Sequence, residues 1–199
     1  MQMPNEHNKS HGSAHQHGKI NYLESTERRA EFSPEQLLSR IPLKKTDNIL
    51  DFGAGTGYMT IPAAKRVDGT VFALDIDPSM LKIISQKAAA EQLANIVAIQ
   101  GGSAALPVAN ASIDIVIASL VLHEISPLTE VLNGIHKVLK QNGCLVVVEI
   151  EPQEHSAHKA PRISLSGMEQ EIADAGLRLT EKFFPSESLY VLIAEKTDA

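Results

Sequence analysis

Between Asn48 and Ile150 the chain repeats one pattern, a short and almost unbroken apolar run followed by a longer amphipathic stretch. The runs "NILDF", "TVFALDI", "NIVAIQ", "SIDIVIASL" and "CLVVVEI" read as strands. Their near-continuous apolar character predicts a parallel sheet covered on both faces. The stretches between them read as helices. "YMTIPAAKRV" follows the first run, with a proline in its first turns, and Asp77-Pro78 opens a helix through "SMLKIISQKAAAEQL". "PLTEVLNGIHKVLK" sets Leu128, Val131, Leu132, Ile135, Val138 and Leu139 on one helical face, and Asn142-Gly143 is expected to end that helix.

Both ends of the chain depart from this rhythm. Residues 1–19 are polar and His-rich without an apolar period, so they cannot bury enough surface to offset their ordering entropy and are expected to be disordered. Residues 20–199 are expected to form one domain, with an N-terminal cap helix at about 20–42. Within that cap, "FSPEQLLSRI" offers Ser33 as N-cap, Pro34 at the first helical position and Gln36 to close a capping box. Toward the other end, Ser166 to Glu169 is a second capping box, starting a helix that stops at Gly176. "LRLTEKFF" and "LYVLIAEK" then read as strands joined only by "PSES", too short a link for a parallel crossover. The expected fold class is α/β, a seven-stranded and mainly parallel sheet with helices on both faces and a C-terminal antiparallel hairpin.

Composition narrows the chemistry. With 199 residues, 43% of them hydrophobic and 21% charged, the chain can bury a core of ordinary size. A net charge of −6 without a Lys/Arg cluster argues against nucleic acid as a partner, because such partners need a basic face to displace condensed counterions. The single cysteine, Cys144, lies in an apolar strand and reads as a packed, inert thiol. No apolar run is long enough to span a bilayer and the N-terminus lacks the apolar core of a secretory signal, so the expected compartment is the cytoplasm.

The first strand ends in "ILDFGAGTG", which brings Asp51 to the carboxyl edge and turns through Gly53, Gly55 and Gly57. Ligands bind at that edge in open α/β sheets, and glycines let them approach the backbone closely. The GxGxG spacing is not the GxGxxG of a dinucleotide site, and no Lys-Ser/Thr pair follows as in a P-loop. Asp75 closes the second strand, where a carboxylate can accept both hydroxyls of a ribose. The combination points to a nucleoside with a close backbone contact and no required phosphate.

Four stretches in order, "ILDFGAGTG", "VFALDIDPSML", "SIDIVIASLVLHEI" and "VLKQNGCLVVVEI", resemble class I S-adenosylmethionine-dependent methyltransferases. Within that class the resemblance is to the small-molecule group that includes quinone-biosynthesis enzymes. It implies a Rossmann-like sheet, S-adenosyl-L-methionine as cofactor and methyl transfer to a small-molecule acceptor. By the same resemblance Gly53, Ala54 and Gly55 would pass under the methionine part, Asp51 would sit near its amino group, and Asp75 would bind the ribose hydroxyls. Ile76 and Met80 would pack on the adenine, Ser103 and Ala104 would edge it, and Ser119 would line the methionine side facing the acceptor. Gly102 stands where the family commonly has an Asp that accepts from the adenine amino group, so either backbone or water substitutes for it or the cofactor binds more weakly or in an altered pose. "STERRAEFSPEQLL" resembles the N-terminal cap of short bacterial members, so Tyr22, Arg28 and Arg29 belong either to a lid over the cofactor or to an ordinary surface helix.

Methyl transfer requires mainly alignment and exclusion of water, with a base needed only where the acceptor loses a proton. His123, just past the fourth strand, is the best-placed catalytic base; the alternative is that His123 and Glu124 only shape the loop. Glu149 and Glu151 read as solvated loop carboxylates and His136 as a solvated position off its helix's apolar stripe. Arg162 is a candidate for meeting an anionic acceptor or for pairing within its loop. His7, His11, His15, His17, His155 and His158 show no closed-site spacing, and no metal is expected. Two other readings compete: a regulatory module that binds S-adenosylmethionine without transferring methyl, and a nicotinamide-dependent oxidoreductase, which the glycine spacing disfavours. The Asn/Asp-Pro-Pro-aromatic motif of amino-directed nucleic-acid methyltransferases is replaced by "ASLVLHEI". A single cysteine after glycine suits neither cytosine-C5 nor arsenite methylation.

Overall fold

The computed structural model describes residues 32–103, 105–152 and 161–197. The five apolar runs become β1 (Ile49–Phe52), β2 (Val71–Asp75), β3 (Ile96–Gln100), β4 (Ile113–Ser119) and β5 (Leu139–Ile150), and the hairpin supplies β6 (Leu177–Phe183) and β7 (Leu189–Lys196). They form one seven-stranded sheet in the order β3-β2-β1-β4-β5-β7-β6. β1 to β5 run parallel; β7 lies antiparallel between β5 and β6. The mainly parallel sheet and terminal hairpin expected from the sequence are therefore present.

Both faces are covered, which is why the strands carry apolar residues at consecutive positions. Leu50, Val116, Leu145, Val147 and Leu192 face α4 (Leu128–Val138) and α5 (Leu165–Asp174). Ile49, Ile115, Val146 and Val191 face α1 (Pro34–Arg40) and α2 (Thr60–Ala64). On the same side as α2, α3 (Pro78–Ala90) packs Leu81 and Ile84 on Ala73. Each fully buried Leu, Ile or Val contributes about 1.5–3 kcal/mol, so these two interfaces dominate the stability.

The helix starts follow their caps. Ser33 accepts from Gln36 N at 3.4 Å ahead of Pro34, and Asp77 accepts from Ser79 N at 2.8 Å ahead of Pro78. Two boundaries differ from the sequence reading. α5 begins with Ser164 as N-cap rather than at Ser166, because the Ser164 hydroxyl accepts from Gly167 N and Glu151 accepts from Leu165 N at 2.8 Å. Asn142-Gly143 does not end α4, which stops at Val138. The pair instead sits in β5 where the register against β4 shifts, with Asn142 at φ 60°. A Cβ at Gly143 would stand 2.9 Å from the Lys140 carbonyl oxygen and 3.0 Å from that of Asp114, so a side chain there would force the backbone to shift.

Of the expected cap at 20–42, only α1 and its flanks fall among the described residues, and the His-rich segment 1–19 lies outside them. His136 is half-buried, not solvated. Burial first, and the Lys196 ammonium second, hold its imidazole below the usual histidine range. Cys144 is buried, and desolvation, reinforced by Asp47, Glu195 and Asp114, pushes its thiol up to about 12. Iodoacetamide at pH 8 is therefore expected to leave Cys144 unlabelled in the native protein and to modify it once urea unfolds the chain, as intact mass would report. Native labelling at the denatured rate would contradict that packing. Among the described residues no helix is long and apolar enough to cross a membrane.

Candidate active site

The strand order reverses between β1 and β4, so the chain leaves adjacent carboxyl ends in opposite directions and opens a crevice there. The glycine loop forms one wall. Gly53, Gly55 and Gly57 have φ of 73°, 53° and 88°, a left-handed region that side chains disfavour. Gly53 N and Ala54 N donate to Leu74 O at 2.9 and 3.0 Å, which ties the loop to β2. Asp75 completes the tie: its Oδ2 accepts from Gly55 N at 2.8 Å and its Oδ1 from Asp77 N at 2.9 Å. A carboxylate has about four lone-pair sites, so Asp75 keeps acceptor capacity for a ligand. Beside it Ile76 is 74% exposed, a large apolar side chain left open at the crevice edge.

The β4 exit forms the opposite wall. Leu120 has φ 56°, which is rare for a branched side chain, and its N–H donates to Val148 O at 2.8 Å. The next side chain, Val121, lies directly on the glycine loop: a Cβ at Gly53 would stand 2.3 Å from Val121 Cγ2. The turn Leu122–Glu124 follows, carrying His123. Glu149 reaches it from β5, with Oε1 accepting from Leu122 N at 2.9 Å and His123 N at 3.3 Å. His123 Nδ1 and Glu149 Oε2 are 2.7 Å apart. Glu149 is completely buried, where a carboxylate persists only if donors surround it. The expectation that Glu149 is solvated is thus corrected.

Among the described residues two buried hydroxyls here have no hydrogen-bond partner, Thr56 Oγ1 in the glycine loop and Ser119 Oγ at the end of β4. Buried hydroxyls are rarely left unpaired, and both belong to segments that frame the crevice. Orphaned donors, an acidic β2 terminus, close-packed glycines and an exposed isoleucine together suit a polar, nucleoside-bearing ligand.

A family model described as "Methyltransferase domain" matches residues 43–181, from just before β1 into β6. The chain belongs to the methyltransferase domain family. Among its relatives are demethylmenaquinone methyltransferases of Geobacillus kaustophilus, 32% identical over 117 residues (58% of this chain, 50% of the relative), and Lactiplantibacillus plantarum, 33% identical over 118 residues with the same coverage. This methyltransferase-domain chain thus spans about half the length of the relatives it matches. A SAM dependent methyltransferase from Aquifex aeolicus shares the fold with a TM-score of 0.83 at 23% identity, over 90% of this chain and 98% of that one. So does the [4+2]-cyclase SpnF, with a TM-score of 0.76 at 17% identity, over 83% of this chain and 81% of the other.

Within the methyltransferase domain, the residues singled out from the sequence fall into three groups. Gly53, Ala54, Gly55, Asp75, Ile76, Ser119 and His123 lie at the carboxyl ends of β1, β2 and β4 or in the loops just beyond them. Asp51 and Met80 lie deeper: both are buried, and Thr60 Oγ1 donates to Asp51 Oδ2 at 2.5 Å. Gly102 and Ser103 follow β3, and a Cβ at Gly102 would meet only Ile76 Cδ1, at 3.9 Å. Ala104 lies outside the described residues, as do Tyr22, Arg28, Arg29, His155 and His158. Arg162 donates to the Pro161 carbonyl at 3.5 Å, and among the described residues it pairs with no acid. Glu151 caps α5. Thr56, Thr60, Val121 and the role of Glu149 escaped the sequence reading. Thr56, Val121 and Glu149 lie inside the quoted motifs, yet their roles depend on contacts that a local pattern does not record.

A hollow of about 290 Å³ between α1 and the β6–β7 turn is lined by Phe32, Leu37, Arg40, Phe183, Phe184 and Pro185. Arg40 stacks over Phe183 at 4.1 Å and approaches Glu181 at 3.7 Å. Its lining includes no residue of the glycine loop or of the His123 turn.

Proposed function

We propose that this methyltransferase-domain chain transfers a methyl group from S-adenosyl-L-methionine to a small-molecule acceptor. The observation that carries the reading is Asp75: its carboxylate, at the end of β2, is latched at 2.8 Å to Gly55 N of the loop that leaves β1 beside the switch point. That latch brings an acceptor for ribose hydroxyls against the backbone the cofactor must approach. When bound, the cofactor supplies a methyl group made electrophilic by its sulfonium. The residues supply position: Asp75 holds the ribose and Ile76 covers an adenine face. Gly53 to Gly55 leave room for the methionine part, and the unpaired hydroxyls of Thr56 and Ser119 meet its polar groups. Asp51 acts from below by fixing the start of α2 through Thr60. His123 receives a proton where the acceptor has one to lose.

For the acceptor, relatives named as demethylmenaquinone methyltransferases favour a reduced quinone ring as the first molecule to try. Ring carbons of that kind become nucleophilic as a neighbouring hydroxyl releases its proton, which suits a base at His123.

S-adenosylhomocysteine at a hundred times its Kd is expected to stabilise the protein by about 2.7 kcal/mol, a shift of roughly 5–10 °C in Tm. Ile76→Asn gives the sharper version of this test. Its side chain is exposed, so the free protein's stability should stay within about 0.5 kcal/mol of wild type. Affinity for S-adenosylhomocysteine should fall about tenfold, the share of an isoleucine's burial that an adenine face would provide. An absence of any thermal shift in the wild-type protein would end the proposal.

A further inference from the structure

Three hydrogen-bonding contacts converge on Glu149, and they differ in kind. Two come from backbone N–H groups, Leu122 N at 2.9 Å and His123 N at 3.3 Å, both to Oε1. Backbone amides can only donate, so Oε1 is committed as an acceptor. The third contact is Oε2 to His123 Nδ1, at 2.7 Å. An ionised carboxylate has no proton to offer, so in a neutral imidazole Nδ1 carries the hydrogen and Nε2 carries the lone pair.

The surroundings hold this assignment in place. Glu149 is opposite Tyr190 in the β5–β7 register, but the Tyr190 hydroxyl donates to Ile163 O at 2.9 Å. Burial, then the charges of Glu149 and Glu151, keep that phenol protonated well above its ordinary range. Glu151 itself is taken by Leu165 N. The His123 side chain is only 9% exposed, so the ring has little freedom to turn over.

We infer that Glu149 is a positioning residue, holding His123 as the Nδ1–H tautomer so that an unprotonated Nε2 is available to the acceptor. The inference rests on the proposed methyl transfer and specifies the acceptor chemistry it favours: a hydroxyl, or a ring carbon activated by one. The acceptor's proton goes to Nε2 and its freed electron pair takes the methyl group. The positive charge lost from sulfur is then carried by the imidazolium, next to a carboxylate already in place to stabilise it. One oxygen of the glutamate caps the turn while the other fixes the ring, so the backbone of the β4 exit and the proton-accepting atom are set by one side chain.

Glu149→Gln separates the two roles. The amide oxygen of the variant remains with Leu122 N and His123 N, which have no alternative, and turns its NH₂ toward Nδ1. Nδ1 must then accept, and the ring hydrogen moves to Nε2. The turn keeps its cap while the base loses its lone pair.

Nitrogen-15 NMR of the full chain labelled at histidine reads the tautomer directly, with His123→Gln identifying the resonance. At a pH where the ring is neutral, wild-type His123 should show its hydrogen on Nδ1, and Glu149→Gln should show it on Nε2. A wild-type ring protonated at Nε2 overturns the inference without recourse to any variant, and so does an unchanged tautomer in Glu149→Gln. Calorimetry with S-adenosylhomocysteine on the same samples distinguishes the two levels: a wild-type protein with the stated tautomer and no heat of binding refutes the proposed function and leaves the Glu149 assignment intact.

Discussion

Gly53→Ala is expected to cost the fold about 2–5 kcal/mol and to remove binding of S-adenosylhomocysteine. Two costs add. A left-handed backbone at φ 73° costs an L-residue about 1–2 kcal/mol. The new methyl group would also stand 2.3 Å from Val121 Cγ2, and overpacking of that kind costs about 1–3 kcal/mol. The damage is directional as well as energetic. Val121 precedes the Glu149-capped turn, so displacing it moves Leu122 and His123 away from the carboxylate that organises them. Urea unfolding should show a lower midpoint with an unchanged m-value. The double variant Gly53→Ala with Val121→Ala should recover only part of the steric cost, because the Cβ at position 121 would still stand 2.8 Å from the new methyl group; a double-mutant cycle measures the part recovered. A single variant within 0.5 kcal/mol of wild type would show that the close approach of loop and turn constrains nothing.

Asp75→Ala should weaken ligand binding through the side chain that reads the ribose. Hydrogen bonds to a charged group contribute about 1.5–3 kcal/mol each, and a ribose presents two hydroxyls. The loss of both predicts a fall in affinity of more than about 10²-fold for S-adenosylhomocysteine by calorimetry. A second consequence falls on the protein itself, because Gly55 N and Asp77 N both lose their acceptor. Asp75→Asn is the control. Its single carbonyl oxygen can keep the Gly55 latch while its NH₂ cannot accept from Asp77 N, so stability should return in part and affinity should not. Retention of wild-type affinity in Asp75→Ala would mean that the nucleoside is not read at the end of β2.

Strand positions were legible because burial on both faces leaves a local trace, a run of consecutive apolar residues such as "CLVVVEI". The glycine loop was legible because left-handed backbone restricts the residue type at each position. Glu149 left no such trace. A carboxylate at the end of an apolar strand looks like one on its way into solvent, and its burial depends on a turn 26 positions earlier in the chain. Asn142-Gly143 misled for a related reason: the same pair serves a helix end or a strand irregularity, and only the register against β4 distinguishes them. The α5 start shifted to Ser164 because Glu151, from another element, accepts from Leu165 N. His136 was misjudged because Lys196 comes from β7 to donate to its carbonyl at 2.7 Å, covering a helix face that periodicity alone assigns to solvent. In each case local chemistry was read correctly and the long-range partner was missing.

The place of β7 between β5 and β6 has a consequence for synthesis. Residues 189–196 emerge from the ribosome after both of their neighbours. Until then the outer edge of β5 is an unpaired row of N–H and C=O groups flanked by Val146, Val147 and Val148, and β6 has no strand to pair with. A nascent chain halted before residue 189 can assemble the glycine loop and the Asp75 latch, yet it still exposes an apolar edge able to template aggregation. Ribosome stalling in that interval should therefore yield chains that bind chaperones, and release of the next few residues should end the association.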